Sequence, residues 1–174
     1  MKKSTRIILF CICCLAFISC DRITKDFAKD HLKNKATVTY LDDTVRLQYV
    51  ENTGAALSWG DDLPRQVSFW LLSILPLLIL SGLFIYTLKN LQQMGPMKVF
   101  SIALVFSGGI GNITDRLLYD RHVTDFLNVG IGNIRTGIFN VADVCVTSGV
   151  IGLLFFFNDK QNKHTTNTNE IIAQ

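Results

Sequence analysis

Four apolar stretches constrain the fold of this 174-residue chain more than any other feature of its sequence. Residues 66–88 contain 23 consecutive positions without a charged side chain, residues 99–114 contain 16, and residues 138–157 carry one charge in 20 positions. About 20 apolar residues in a helix are enough to cross a bilayer. Together with a stretch near the N-terminus, the predicted membrane helices span about residues 6–30, 66–88, 98–119 and 138–157. The predicted fold class is therefore mainly α, a polytopic membrane protein with four transmembrane helices.

The composition agrees with a membrane protein. Hydrophobic residues make up 49% of the chain and charged residues 18%, which is more apolar than an ordinary soluble domain. Four of the five cysteines lie in the first apolar stretch, a placement that argues against a disulfide framework. The net charge is +3, and basic residues do not alternate with aromatic ones along the chain. We therefore do not expect nucleic acid to be a partner.

The first apolar stretch has a second interpretation, because it ends in the sequence FISC at Cys20. A basic start, a short apolar core and a small residue before cysteine are typical of a lipoprotein signal peptide. Such a peptide would be the only apolar segment of a secreted protein, whereas three more follow here. The sequence therefore favours a first membrane helix over a cleaved leader, and Cys20 is not expected to be lipidated.

The segment between the first two predicted helices has a different pattern. Apolar and polar residues alternate on both sides of Asp42 and Asp43 within residues 36–62. Alternation around an Asp-Asp turn predicts a small β-hairpin or curled sheet at the outer surface. Lys2, Lys3 and Arg6 precede the first helix and favour a cytoplasmic N-terminus, and four helices then return the C-terminus to the same side. We expect residues 1–158 to form one membrane domain and residues 159–174 a polar cytoplasmic tail.

Polar residues interrupt three of the apolar helices near one end. Asp21 and Lys25 are spaced i, i+4. The third helix carries Asn112, Asp115 and Arg116 at i, i+3 and i+4, and the fourth carries Asn140 and Asp143 at i, i+3. These spacings place each set on one helix face. Charges within a bilayer are costly, so they usually face one another or a wet cavity. Asp125 follows in the predicted outer loop and can fold back to the same level.

Clustered carboxylates permit two kinds of chemistry. When two carboxylates lie close together, one keeps its proton while the other acts as a base, and such a pair can hydrolyse an amide. A proton-coupled transporter also uses buried carboxylates, and a non-catalytic scaffold is a third possibility. The acids are predicted at one end of the helices, whereas transporter sites lie near the midplane. The residues alone favour a hydrolase but leave its pair open among Asp115, Asp125 and Asp143.

Five short motifs occur in order along the chain. They comprise Asp21, Thr24 and Lys25; Asn52, Gly54, Ala55 and Ala56; Gly108, Gly109, Gly111, Asn112, Asp115 and Arg116; Val123, Asp125 and Phe126; and Phe139, Asn140, Ala142 and Asp143. Each motif is weak alone, but the five in this order are highly specific. From about residue 7 to 157 the chain resembles the bacterial lipoprotein signal peptidase family, also called signal peptidase II.

The resemblance implies an aspartyl endopeptidase with four transmembrane helices and an outer β-cradle. Its catalytic pair would be Asp125 and Asp143. The residues implied to bind substrate or orient the site are Asp21, Lys25, Asn52, Gly54, Asn112, Asp115, Arg116, Asn140 and Ala142. No metal or cofactor is implied. The implied substrates are prolipoproteins that carry a diacylglyceryl group, cleaved just before the lipidated cysteine.

The resemblance also implies a location. The expected membrane is the bacterial cytoplasmic (inner) membrane, with membrane lipids as partners and the active site near the outer face. Leu57 departs from the family pattern, which commonly has an aromatic residue there. This departure puts one contact to the substrate in doubt and does not involve the acids.

Overall fold

The structure is a computed structural model that describes residues 2–55 and 60–156. The predictions for Leu57 and for the polar tail lie outside the described residues. The described residues form four helices, α1 (Lys3–Leu32), α2 (Arg65–Asn90), α3 (Pro96–Leu118) and α4 (Val141–Phe156). The first three are long and apolar enough to cross a membrane, and α4 is a shorter apolar helix of 16 residues over its described part. The predicted mainly helical membrane fold is confirmed.

Two segments of the chain, one between α1 and α2 and one between α3 and α4, together form a four-stranded antiparallel sheet. Its strands are β1 (Val38–Tyr40), β2 (Val45–Asn52), β3 (Val123–Ile131) and β4 (Ile134–Arg135), in the order β1-β2-β3-β4. The hairpin predicted within residues 36–62 is confirmed, since Tyr40 pairs with Val45 across its turn. At that turn Asp42 and Asp43 have φ angles of 49° and 65°, a left-handed conformation that aspartate tolerates better than most residues.

The second half of the sheet corrects the prediction that Asp125 lies in a loop. Asp125 belongs to β3, where it is opposite Val50 of β2. The first four residues of β3, from Val123 to Phe126, are all buried, so the segment lacks the alternation that marks a strand with one exposed face. Backbone pairing with β2 therefore fixes the position of Asp125, and the sequence pattern did not indicate this strand.

Helix α3 is the centre of the helical layer, because it packs against each of the other three helices. Gly108 lies against Val146 and Cys145 of α4, and Gly109 lies against Leu80 of α2. Glycines allow two helix backbones to approach closely in a membrane. This close packing fixes how the polar residues of α3 face those of α4.

The two ends of the helical layer differ. At one end, the Arg6 guanidinium donates to the backbone oxygens of Gln92 and Met94 at 3.4 and 2.7 Å, so the start of α1 lies beside the turn that joins α2 to α3. At the other end, α1 leads into β1, and β3 follows α3. The sheet and the basic N-terminus therefore lie at opposite ends of the helices.

Candidate active site

Asp143 is held at the start of α4 by a reciprocal cap. The backbone N–H of Asn140 donates to Asp143 Oδ2 at 3.0 Å, and the backbone N–H of Asp143 donates to Asn140 Oδ1 at 3.0 Å. Such a capping box satisfies two N–H groups that a helix start otherwise leaves free. Asn140 thus precedes the helix, which corrects the predicted start at residue 138.

Asp125 is held from two sides by asparagine side chains. Asn140 Nδ2 donates to Asp125 Oδ1 at 2.6 Å, and Asn52 Nδ2 donates to Asp125 Oδ2 at 2.9 Å. The pKa of Asp125 is raised to about 6, chiefly by burial and in part by the nearby Asp143 carboxylate, against the lowering effect of the two asparagine bonds. Asp125 is therefore a carboxyl group that titrates close to neutral pH.

The two carboxylates face one cavity. Asp125 and Asp143 both line a space of about 570 Å³, and Asn112 and Arg116 of α3 line it with them. Asn140 is fully buried and donates hydrogen bonds to both acids. Its side-chain nitrogen bonds Asp125, and its backbone N–H bonds Asp143. One residue therefore sets the relative position of the strand-borne and helix-borne carboxylates.

Lys25 fixes the orientation of the Asn112 amide. The lysine ammonium has only donors, and its Nζ lies 3.0 Å from Asn112 Oδ1. Asn112 Nδ2 must then point the other way, where it donates to Asp143 Oδ1 at 2.8 Å. The charge on Lys25 is therefore linked through one amide to the carboxylate of Asp143.

A buried charge cluster surrounds Lys25, whose side chain is fully buried. Its ammonium pairs with Asp21 Oδ2 at 2.7 Å and Asp115 Oδ2 at 2.9 Å, so all three of its donors have acceptors when Asn112 is included. Asp21 Oδ1 also accepts the backbone N–H of Ala142 at 2.8 Å, which ties α1 to the start of α4. A buried lysine requires such pairing, because an unpaired charge there would be very costly.

Asp115 has partners that the sequence did not indicate. Its Oδ1 accepts a bond from Arg22 Nη1 at 2.8 Å, while its Oδ2 pairs with Lys25. Its carboxylate therefore pairs with two cations of α1 rather than with the adjacent Arg116. Consecutive helical residues point about 100° apart, so Asp115 faces α1 while Arg116 faces the cavity. Arg22 lies 93 positions away from Asp115 in the sequence, and no local pattern links the two.

Arg116 reaches the loop that follows β2. Its Nη2 donates to the backbone oxygen of Gly54 at 2.7 Å, and its Nη1 lies 3.4 Å from the backbone oxygen of Asn112. Its Nε is buried and makes no hydrogen bond among the described residues. Asn52 Oδ1 accepts the N–H of Gly54 at 2.9 Å and so shapes the same loop. A cationic side chain with a free donor therefore lies at the edge of the carboxylate cavity.

All the residues named from the sequence meet in this one region. The structure joins Asp21, Lys25, Asn52, Gly54, Asn112, Asp115, Arg116, Asp125, Asn140, Ala142 and Asp143 through one connected set of hydrogen bonds and ion pairs. Within residues 2–55 and 60–156, no three His, Cys, Asp or Glu side chains are grouped so that they could hold a metal ion.

The fold and site together define a multi-pass membrane protein with two facing carboxylates beside a surface sheet. Comparison with known proteins gives the family. The family profile described as "Signal peptidase (SPase) II" matches residues 13–158. The chain therefore belongs to the signal peptidase II family and is a protease.

Individual relatives agree with this assignment. The lipoprotein signal peptidase of Clostridium acetobutylicum is 35% identical over 144 residues, covering 82% of this chain and 89% of that protein. The one of Chlorobaculum parvum is 35% identical over 160 residues, covering 87% and 95%. A solved bacterial membrane enzyme, determined by the in meso method at 2.3 Å resolution, has a TM-score of 0.74 and 27% identity over 91% of this chain and 93% of its own.

Proposed function

We propose that this protease removes signal peptides from prolipoproteins, with Asp125 and Asp143 as its catalytic pair. The family assignment supports the reaction, and the curated relatives are named lipoprotein signal peptidases. The single observation that carries the choice of pair is the shared cavity: both carboxylates line it, and Asn140 bonds both. The third candidate, Asp115, is neutralised by Arg22 and Lys25 and does not line this cavity.

The proposed chemistry follows from two carboxyl groups in different surroundings. Asp143 is proposed as the base, because its two oxygens accept hydrogen bonds from the Asn140 backbone and the Asn112 side chain at the cavity wall. Asp125, with a pKa raised to about 6, keeps its proton more readily and acts as the acid. Asp143 takes a proton from a water, whose oxygen attacks the carbonyl carbon of the scissile peptide. Asp125 then gives its proton to the leaving nitrogen as the C–N bond breaks, and the carboxylic acid product forms.

Arg116 is the proposed contact for the substrate backbone. Its guanidinium lies at the cavity edge with a buried Nε that has no acceptor among the described residues. An arginine that is always charged can hold a peptide carbonyl and stabilise negative charge that develops on it. Asn52 and Gly54 shape the neighbouring loop, where an extended substrate would pass.

The proposed orientation places the site near the outer face of the bacterial cytoplasmic membrane. Lys2, Lys3 and Arg6 begin the chain, and Arg6 bonds the turn between α2 and α3. Basic residues favour the cytoplasmic side. The sheet and the carboxylates lie at the opposite end, and four helices bring both termini to the cytoplasm.

The proposed substrate carries a diacylglyceryl group on the cysteine that follows the scissile bond. The carboxylates lie where apolar helices meet a surface sheet, so a bond beside a lipid-anchored cysteine would be held at their level. The cavity wall there includes Ile138, Phe139, Val144 and Val146, which suit an apolar chain and make surrounding membrane lipids natural partners. The alternative of a proton-coupled transporter has no support from the family assignment.

Cleavage by the purified protein tests the proposal. The protein in detergent micelles is mixed with a diacylglyceryl-modified prolipoprotein, and the products are identified by mass spectrometry. We expect a new N-terminus at the lipidated cysteine without any ion gradient, and no cleavage of the same prolipoprotein without its lipid. Absence of cleavage, combined with proton flux in sealed vesicles that depends on Asp143, would overturn the proposal.

A further inference from the structure

Two hydroxyl groups lie deeper in the same cavity and take no part in the chemistry described above. Thr147 and Ser148 of α4 line the cavity together with Asp143, and both side chains are exposed in the structure. With a rise of about 1.5 Å per residue, they lie roughly 6 and 7.5 Å beyond Asp143 along the helix. They therefore face the part of the cavity that extends from the carboxylates into the helical layer.

Several other hydroxyls within the membrane helices are either bonded locally or buried outside this cavity. Ser81, Thr87, Ser101 and Ser107 each donate to the backbone oxygen four residues earlier, at 2.6–2.9 Å. This local bond is the usual way for a hydroxyl to be satisfied inside a helix. Ser68 and Ser73 of α2 also lack a partner, but they are buried and do not line the cavity. The described residues include no hydrogen-bond partner for either side chain of the α4 pair. Their donors are therefore available to something that enters the cavity.

A signal peptide brings unpaired acceptors to this depth. Its apolar segment of about 7–15 residues ends before the cleavage site. The last four backbone oxygens of any helix have no partner within the helix, and each unsatisfied group in hydrocarbon costs several kcal/mol. The scissile bond must lie beside Asp125 and Asp143, so the chain that precedes it runs along α4 into the membrane. An extended chain advances about 3.3 Å per residue, which places these oxygens about two residues before the scissile bond.

We propose that Thr147 and Ser148 are positioning residues that donate hydrogen bonds to the free backbone oxygens at the end of the substrate's apolar helix. This inference rests on the proposed function of the cavity. The bonds hold the end of the substrate helix at this depth and so favour the conformation in which the chain beyond it is extended and the scissile bond is exposed. Because backbone oxygens occur in every signal peptide, the contact does not select a particular side chain.

The test compares isosteric and conservative variants with the purified protein and a lipidated prolipoprotein. Thr147→Val keeps the side-chain shape and removes the hydroxyl, and Ser148→Ala removes the other one. We expect kcat/KM to fall about fivefold for each and further for the double variant, as the loss of a hydrogen bond of about 1 kcal/mol predicts. Thr147→Ser should restore most of the loss, because it returns the donor without the methyl group.

The control is Ser81→Ala, which removes a hydroxyl that is already bonded within α2 and lies outside this cavity. It should leave kcat/KM unchanged. A double variant with wild-type kcat/KM would overturn the inference. A loss in Thr147→Val that Thr147→Ser does not restore would also overturn it, because the shape of the side chain rather than its hydrogen-bond donor would then matter. If the wild-type protein itself does not cleave the substrate, the proposed function fails, which is a separate and distinguishable result.

Discussion

The side-chain nitrogen of Asn140 lies 2.6 Å from Asp125 Oδ1, and the backbone nitrogen of Asn140 lies 3.0 Å from Asp143 Oδ2. A single residue thus holds a carboxylate from the sheet and a carboxylate from a membrane helix. The amide cannot rotate freely, because its oxygen accepts the backbone N–H of Asp143 and its nitrogen must then face Asp125. The geometry of the pair is therefore determined before any substrate enters.

The first prediction concerns the two acids themselves. Asp125→Asn and Asp143→Asn should each lower kcat by about 10² to 10⁴, because an amide cannot exchange the proton that the reaction needs. Both substitutions keep the side-chain shape, so the proteins should still unfold cooperatively on heating. Turnover is measured on a diacylglyceryl-modified prolipoprotein. Near-normal turnover in either variant would show that the pair is misassigned.

The second prediction concerns the dependence of stability on pH. Burial raises the pKa of Asp125 from 3.8 to about 6, so the folded protein binds more protons than the unfolded one between these values. The free energy of unfolding should then decrease as the pH rises from about 4 to about 6, by roughly 1–3 kcal/mol for this group. The midpoint of thermal unfolding is measured at pH 4.5 and pH 7. The decrease should be smaller in Asp125→Asn; an equal decrease in both proteins would contradict the prediction.

The sequence predicted the membrane helices well, because a long stretch without charged residues indicates directly that a helix is long and apolar enough to cross a bilayer. It failed at three places, and each failure has its own physical cause. Strand β3 was missed because its buried residues do not alternate, and the start of α4 was placed too early because Asn140 fits the helical spacing of Asp143 while serving as its cap. The bond between Arg22 and Asp115 joins α1 to α3, and only the packing of these helices brings the two together.

The third prediction concerns the loop after β2. Gly54 is buried, and its backbone oxygen accepts a bond from Arg116. Gly54→Val adds a branched side chain where we expect the substrate backbone to pass, so kcat/KM should fall by at least about tenfold. The segment lies outside the membrane helices, so the variant should still fold and unfold cooperatively on heating. Gly82→Val is the matched control, because a side chain at Gly82 meets open space in the structure; equal losses of activity in both variants would contradict a specific role for Gly54.

The fourth prediction concerns Cys20, which lies exposed within the unbroken helix α1. Cleavage before this residue would remove more than half of helix α1, whose remaining part holds Asp21 and Lys25 in the buried cluster. Intact-mass spectrometry of the purified protein should therefore show residues 1–19 still attached and no added acyl mass. Cys20→Ala should keep wild-type activity. A truncated, acylated chain would contradict the assignment of α1 as a permanent membrane helix.

The last prediction concerns the buried ammonium of Lys25. Lys25→Met should lower the free energy of unfolding by about 3–5 kcal/mol, because Asp21 and Asp115 would lose the cation between them. The matched control is Lys33→Met, since Lys33 pairs with Glu51 at the same 2.7 Å distance but at the exposed surface. An exposed pair contributes little because water screens it, so the control should remain close to wild type. Unfolding is followed by heat or denaturant at pH 7, and similar losses in both variants would show that the buried cluster contributes no more than a surface ion pair.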